Sequence, residues 1–244
     1  MKLFNKLFSG QDKTRLPPIT EITANELKQL LDKEVSPLLL KRNLQYDGQY
    51  TWYGEMENHM RKSVSVFLLK GTVGIFKWSV TFDFIPLPSG ERLVYSRTEK
   101  NIKAHLFELP DDYLQSFRGS SGLEVWKKSA CKFSRHGKQE NPTDDISAQI
   151  RTAFVADVEK LSHLHDECTT IADALKVVDD KLNSQNNMDI FHRLFPPSPI
   201  YVKAFLLTAT GKKREGKDLL EQHLLTLEWN DSLKTKVLQK LDSL

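Results

Sequence analysis

Hydrophobic and polar positions alternate most regularly between residues 76 and 84. The apolar positions are Phe76, Trp78, Val80, Phe82 and Phe84, and the positions between them are Lys77, Ser79, Thr81 and Asp83. Successive side chains of a strand point to opposite faces, so this period of two predicts a strand with one buried and one open face. We therefore expect Trp78 and Phe82 to be buried and Ser79 and Thr81 to be exposed.

A second strand is predicted over residues 63–69, and Gly71 and Gly74 suit a hairpin loop between the two. Pairing Val66 with Val80 would match the apolar positions of both strands, whereas a slip of one residue would set them against polar ones. We therefore predict an antiparallel hairpin in that register. Residues 45–53 and 93–96 are weaker strand candidates.

Helical patterns flank these strands on both sides. Thr23 and Glu26 have the spacing of a capping box, and they precede Leu27, Leu30, Leu31, Val35 and Leu38 on one helical face. Pro37 makes the last turn of that helix doubtful. Asn141-Pro142 followed by Asp144 and Asp145 predicts a second helix start.

Apolar residues then recur at threes and fours from Ile146 to Leu182, which predicts one long helix or two with a break near Asp166. The polar, basic run 132–138 is predicted to be a loop. Further helices are expected from Ser198 or Pro199 to a cap at Gly211, from about Lys217 to Leu227, and after Asp231.

These patterns predict an α+β fold, with a small antiparallel sheet packed against helices and a helical C-terminal region. We divide the chain into four parts: a basic amphipathic start and linker (1–20), an α+β sheet region (21–140), a long helical region that completes the core (141–195), and a helical hairpin with a final helix (198–244).

Charge and cysteine content limit the partners. The net charge of +3 is already present in the first fifteen residues, where Lys2, Lys6, Lys13 and Arg15 face only Asp12. The remaining chain is balanced, which argues against a nucleic acid partner. Two cysteines make no disulfide framework, and the start lacks a secretory signal or membrane span, so we expect a cytoplasmic protein.

The segment Met1–Phe8 interleaves lysines with Leu3, Phe4, Leu7 and Phe8, which leaves peripheral membrane contact through residues 1–8 as an alternative to packing on the body.

Catalytic and metal-binding patterns are weak. His163 and Glu167 have helical i, i+4 spacing, but the adjacent Cys168 belongs to the apolar stripe and no second ligand pair follows, so we interpret this cluster as structural and expect no metal and no cofactor. Glu55, Glu57 and Asp83 could serve an enzyme acting on nucleic acids or nucleotides, yet nothing in the sequence fixes two carboxylates at a working distance.

A protein-binding surface is the remaining interpretation of the residues around the hairpin. Exposed aromatic and charged side chains are typical of such surfaces. We predict partner contacts at Trp52, Tyr53, Glu55, Glu57, Lys77 and Asp83. For the aromatic residues Trp52 and Tyr53, a position in the core or at its rim is the alternative.

The order of these elements resembles an uncharacterised bacterial α+β family, through the opening helix, the hairpin strand 74–84, Trp126, and helices such as 144–161 and 169–182. Proteins of this kind occur near toxin loci, so the resemblance implies an immunity-protein role. Residues 204–220 also resemble a single tetratricopeptide helix pair, through Ala204, Leu207, Gly211, Gly216 and Leu220.

We therefore predict a non-enzymatic bacterial protein that neutralises a protein partner, such as a toxin, by stoichiometric binding. The alternatives are the acidic-residue enzyme and a helical adaptor or scaffold.

Overall fold

The computed structural model describes residues 18–69, 73–98, 102–110, 132–183 and 197–244. Predictions for Met1–Phe8 and for Trp126 lie outside these residues. The described chain has the predicted α+β fold, with antiparallel sheets and a helical C-terminal region. A single cluster of buried apolar side chains extends from Ile22 to Leu241 and so joins both parts.

The elements follow one another along the chain as β1 (Ile19–Glu21), α1 (Ala24–Leu40), β2 (Gln45–Tyr46), β3 (Thr51–Tyr53), β4 (Met60–Leu69), β5 (Val73–Phe82), β6 (Leu87–Ser89), β7 (Arg92–Val94), β8 (Leu106–Glu108), β9 (Phe133–Ser134), β10 (His136–Lys138), α2 (Pro142–Leu161), α3 (His163–Glu167), α4 (Ile171–Asn183), α5 (Pro199–Ala209), α6 (Lys213–Leu225) and α7 (Asp231–Asp242).

Helix α1 begins as predicted. Thr23 and Glu26 form the complete capping box, in which each side chain accepts from the other residue's backbone N–H. The helix continues through Pro37 to Leu40, beyond the doubtful turn. Pro37 removes only the hydrogen bond to the Lys33 carbonyl, and both residues are exposed, so water can satisfy that carbonyl.

The main sheet has the strand order β2-β3-β4-β5-β8, and β9 also pairs with β5. The predicted hairpin is present, but the predicted register was wrong by four residues, because Val66 pairs with Phe76 and not with Val80. The observed register pairs both strands along their full length and leaves only residues 70–72 as the connection. A shift of four preserves the side-chain faces, so alternation alone could not distinguish the two registers.

We call the side of the sheet that carries Phe76, Trp78, Val80 and Phe82 the inner face. Trp78 and Phe82 are fully buried, as predicted, and Phe154 of α2 packs on the rings of Phe76 and Trp78. The opposite side, the outer face, carries Ser79 and Thr81, and both were wrongly predicted to be exposed. Their hydroxyls are satisfied within the protein, by Ser63 and by the Lys103 carbonyl respectively.

The basic run 132–138 was wrongly predicted to be a loop, because it forms β9 and β10. Its two short strands pair with different partners, β5 and β1, so the run is held by backbone hydrogen bonds and not by an alternating apolar pattern. Arg135 between them donates to the Ile22 carbonyl and thereby ties this segment to the start of α1.

The long helical pattern is broken twice, at Ser162 and again at Cys168, the second break lying close to the predicted one at Asp166. Asn141 caps α2 through its side chain, as predicted. The buried carboxylate of Glu34 on α1 accepts from Ser147 and Arg151 of α2, which fixes the two helices to each other. The Ser147 hydrogen bond lowers the pKa of Glu34.

The C-terminal helices continue the same core. Gly211 has φ +90° at the end of α5, which is the expected left-handed cap position. Gly216 allows α6 to approach α5 closely, because a Cβ there would lie 2.6 Å from the Ala204 carbonyl oxygen. The Tyr201 hydroxyl donates to the Pro86 carbonyl at 2.6 Å and so joins α5 to the sheet region. Among the described helices, none has the length and apolar character needed to cross a bilayer.

Candidate functional site

A cleft of about 580 Å³ opens where the end of α1, the β3–β4 connection and the turn between α3 and α4 meet. We call it the helix-end cleft. It is lined by Leu40, Arg42, Asn43, Leu44, Gln45, Gly54, Glu55, Glu57, Asn58, Met60, Lys62, Cys168 and Thr169. Three separate parts of the sequence therefore build one surface, and it includes two of the acidic residues expected at a functional site.

The α1 side of the cleft is shaped by a left-handed residue. Asn43 has φ +58°, and its N–H donates to the Leu40 carbonyl while the Leu44 N–H donates to the Leu39 carbonyl. This pair of hydrogen bonds is the Schellman pattern that ends many helices. The chain reverses there, so Leu44 returns to the core and Arg42 and Asn43 remain on the wall of the cleft.

The opposite wall is a tight turn from Glu57 to Met60. These two residues exchange both backbone hydrogen bonds at 2.8 Å, and the central residues Asn58 and His59 have φ +48° and +65°. Two positive φ values are the mark of a type I′ turn, which usually has glycine at its second position. His59 there adopts a conformation that is costly for a side chain with a Cβ, and such strain is found often at functional sites.

Each of the two cations of the cleft makes a contact within the protein. Arg42 donates to Asp166 at 3.0 Å and lies over the ring of Trp78, while the Lys62 ammonium donates to the His165 backbone carbonyl. Glu55 and Glu57 are exposed, and within the described chain neither makes an ion pair. Asp166 compensates Arg42, whereas Lys62 bonds to a neutral carbonyl and keeps its charge, so the two glutamates and Lys62 leave the cleft with one net negative charge.

Two residues of the cluster at 163–168, His165 and Cys168, are buried. The buried His165 donates from Nε2 to the Ser79 carbonyl at 3.0 Å, and burial lowers its pKa to about 4, so it is neutral near pH 7. Burial raises the pKa of the Cys168 thiol to about 12, so this sulfur stays protonated and unreactive. Within the ranges that the structure describes, His, Cys, Asp and Glu residues form no group that could hold a metal.

Exposed apolar side chains surround the same helix end. Leu40 is 63% exposed and borders both the helix-end cleft and a second groove, where Pro37 and Tyr46 also lie. Leu38 and Val155, also exposed, border a third groove of about 300 Å³ between α1 and α2. The end of α1, with Pro37, Leu38 and Leu40, therefore lies between three concave surfaces and is partly apolar; we call it the ridge.

The residues predicted to contact a partner divide between several places. Glu55 and Glu57 line the cleft. Asp83 lies beside it, where both of its carboxylate oxygens contact Nδ1 of His59 at 3.1 and 3.2 Å. Lys77 lies on the outer face, away from the cleft, with its ammonium over the Phe107 ring.

The two aromatic residues of that set also differ in position. Trp52 was wrongly predicted to be at the surface: it is fully buried on the inner face, where its indole N–H donates to the Ser36 hydroxyl at 2.8 Å. Its place in β3 opposite Val64 explains this, because both side chains point into the core. Tyr53 points the other way and is half-buried on the outer face, with the Arg61 guanidinium over its ring.

The sequence interpretation missed Leu40, Arg42, Asn43 and Asn58 as site residues. Two of them had a recognisable signal, because asparagine tolerates the left-handed conformation and marks helix ends and tight turns. Leu40 had none, since its exposure depends on where α1 ends. A comparison with protein-family models, curated proteins and solved structures finds no match for this chain.

Proposed function

We propose that the chain is a protein-binding protein that acts stoichiometrically, with its partner docked on the ridge and cleft at the end of α1. The observation that carries this proposal is the 63% exposure of Leu40, which borders both the helix-end cleft and the second groove. Contiguous exposed apolar side chains rimmed by polar ones are characteristic of interaction sites.

The charges around the ridge support a basic partner segment. Glu55 and Glu57 line the cleft with Leu40 and make no ion pair among the described residues, whereas Arg42 is paired with Asp166 and only Lys62 keeps an uncompensated positive charge there. Electrostatic complementarity of this kind guides association and selects partners. A basic segment with an apolar residue next to it would satisfy both parts of the surface.

The most specific form of this proposal is an immunity or antitoxin-like protein that occludes a toxin in the cytoplasm. It follows the toxin-locus association implied by the family resemblance. The buried thiol of Cys168 is compatible with a reducing compartment.

The enzymatic alternative needs Glu55, Glu57 and Asp83 to act on one reacting centre. Only the two glutamates line the cleft, and the Asp83 carboxylate is engaged by His59. The adaptor alternative would instead use the C-terminal helices, where Leu225 is the most exposed large apolar residue of those described, at 83%.

A matched pair of substitutions tests the binding proposal. Leu40→Asp and Leu225→Asp each place a charge on an exposed leucine near a helix end, so neither should unfold the protein. The product of the neighbouring gene is the first partner to titrate, by calorimetry and by a protection assay at several molar ratios. We expect one-to-one protection that Leu40→Asp weakens and Leu225→Asp leaves unchanged.

Protection far below one-to-one that Glu57→Gln abolishes would instead support an enzyme. Loss of binding with Leu225→Asp alone would support the adaptor function.

A further inference from the structure

The outer face of the sheet contains a buried cation whose hydrogen bonds are incomplete. Arg61 lies in β4 directly opposite Thr81 of β5 and is only 6% exposed. Its Nε and Nη1 atoms are buried and have no hydrogen-bond partner among the residues that the structure describes. A guanidinium keeps its charge at every physiological pH, so Arg61 cannot avoid the cost of burial by losing a proton.

The neighbouring acceptors are used elsewhere. The Ser63 and Ser79 hydroxyls bond to each other at 2.9 Å, and the Thr81 hydroxyl donates to the Lys103 carbonyl. The Asp83 carboxylate pairs with His59. The Tyr53 ring centroid lies 5.8 Å from the guanidinium carbon, and an aromatic face attracts the cation but accepts no conventional hydrogen bond from its N–H groups.

Lys77 adds a second positive charge to this face. It is half-buried, and burial lowers its pKa. Among the described residues no carboxylate forms an ion pair with Lys77 or with Arg61. Buried charges in native proteins are normally paired, so the outer face lacks a counter-charge at Arg61.

We propose that the outer face binds a small oxyanion, a phosphate or a carboxylate, at the Arg61 guanidinium. Both anions accept charge-assisted hydrogen bonds from arginine N–H groups, and a desolvated setting strengthens such bonds. Ser63 and Ser79 lie two positions further along the same face of the sheet. This site is separate from the helix-end cleft and does not depend on the protein-binding proposal.

Thermal unfolding with added anions tests the site. Sodium phosphate and sodium acetate are titrated against sodium chloride at equal ionic strength, for the wild type, Arg61→Met and the control Arg92→Met, which removes an exposed arginine on β7. We expect one of the two anions to raise the melting temperature of the wild type and of Arg92→Met in a saturable way, and to have no saturable effect on Arg61→Met. The anion that saturates at the lower concentration identifies the ligand class.

General salt effects on stability act on all three proteins equally and do not saturate. An equal response of the wild type and Arg61→Met would therefore overturn the proposal, as would the absence of a saturable response in the wild type. Should Arg61→Met fold poorly, Arg61→Lys replaces it, because lysine keeps the charge but lacks the planar set of donors. The Arg61 Nε–H resonance of the wild type must also move during the titration, and an unmoved resonance would equally contradict the site.

Discussion

Mild acid should destabilise this protein through two buried neutral histidines. His105 accepts from the Phe82 N–H and donates to the Ile85 carbonyl, so it holds its neutral form between two backbone groups. Burial lowers its pKa to about 3, and burial likewise lowers the pKa of His165 to about 4, both from the ordinary value of 6.5. The unfolded chain therefore takes up protons below pH 6.5 that the folded protein does not.

The sign and size of the effect follow from this difference. Both folded pKa values lie below the unfolded one, so the contribution of each histidine to stability is complete above about pH 7 and falls as the pH drops toward the folded value. Between about pH 8 and pH 5, each of the two should lower the free energy of unfolding by about 2 kcal/mol. Carboxylates contribute little above about pH 5, because they remain ionised in both states.

Urea unfolding followed by tryptophan fluorescence at several pH values measures this loss. His165→Gln keeps a donor for the Ser79 carbonyl and cannot titrate, so its stability should fall by about 2 kcal/mol less than that of the wild type over this range. His163→Gln, an exposed histidine two residues away on α3, is the matched control and should behave as the wild type. Equal pH dependence in the wild type and His165→Gln would refute the reasoning.

Three further substitutions test the packing and the turn, each by its free energy of unfolding. Trp78→Ala removes a fully buried indole and should cost about 3–5 kcal/mol, and a variant as stable as the wild type would contradict the inner face as described. Gly216→Ala should cost about 1–3 kcal/mol, because its Cβ would lie 2.6 Å from the Ala204 carbonyl oxygen. Gly48→Ala is the control: its Cβ would meet no atom within 4 Å, so this variant reports only the strain of a positive φ. His59→Gly should stabilise the protein by up to about 1 kcal/mol by relaxing the type I′ turn, and a loss of stability would show that the contact with Asp83 outweighs the strain.

The sequence predicted the elements well where one physical effect dominated. The capping box of Thr23, the Asn141 cap and the burial of Trp78 and Phe82 were all correct, since each depends on a few adjacent residues. The exposure of Ser79 and Thr81 was wrong because a polar side chain can be buried when another part of the chain supplies its hydrogen bond. The strands at 133–138 were missed because their pairing depends on distant backbone partners.

The candidate site was predictable only in part, and for a related reason. Glu55 and Glu57 were recognised by their charge, and the structure places them on the cleft. The cleft itself needs the end of α1 beside a turn more than a hundred residues later, at Cys168, and no local pattern encodes that proximity. Trp52 shows the opposite error, in which an aromatic residue suited to an interface belongs to the core.

The hydroxyl pair of Ser63 and Ser79 has a consequence for how the hairpin folds. The register four residues away keeps every apolar side chain on its own face, so hydrophobic burial gives the folding chain almost no preference between the two. In the slipped register Ser63 would lie opposite Asp83 and Ser79 opposite Phe67. The hydrogen bond between the two serine hydroxyls would then be lost. The hydrogen bond between these two hydroxyls therefore favours the native register while the hairpin folds. The double variant Ser63→Ala, Ser79→Ala should then refold with an added slow phase, and single-phase refolding at the wild-type rate would show that the short connection at residues 70–72 suffices alone.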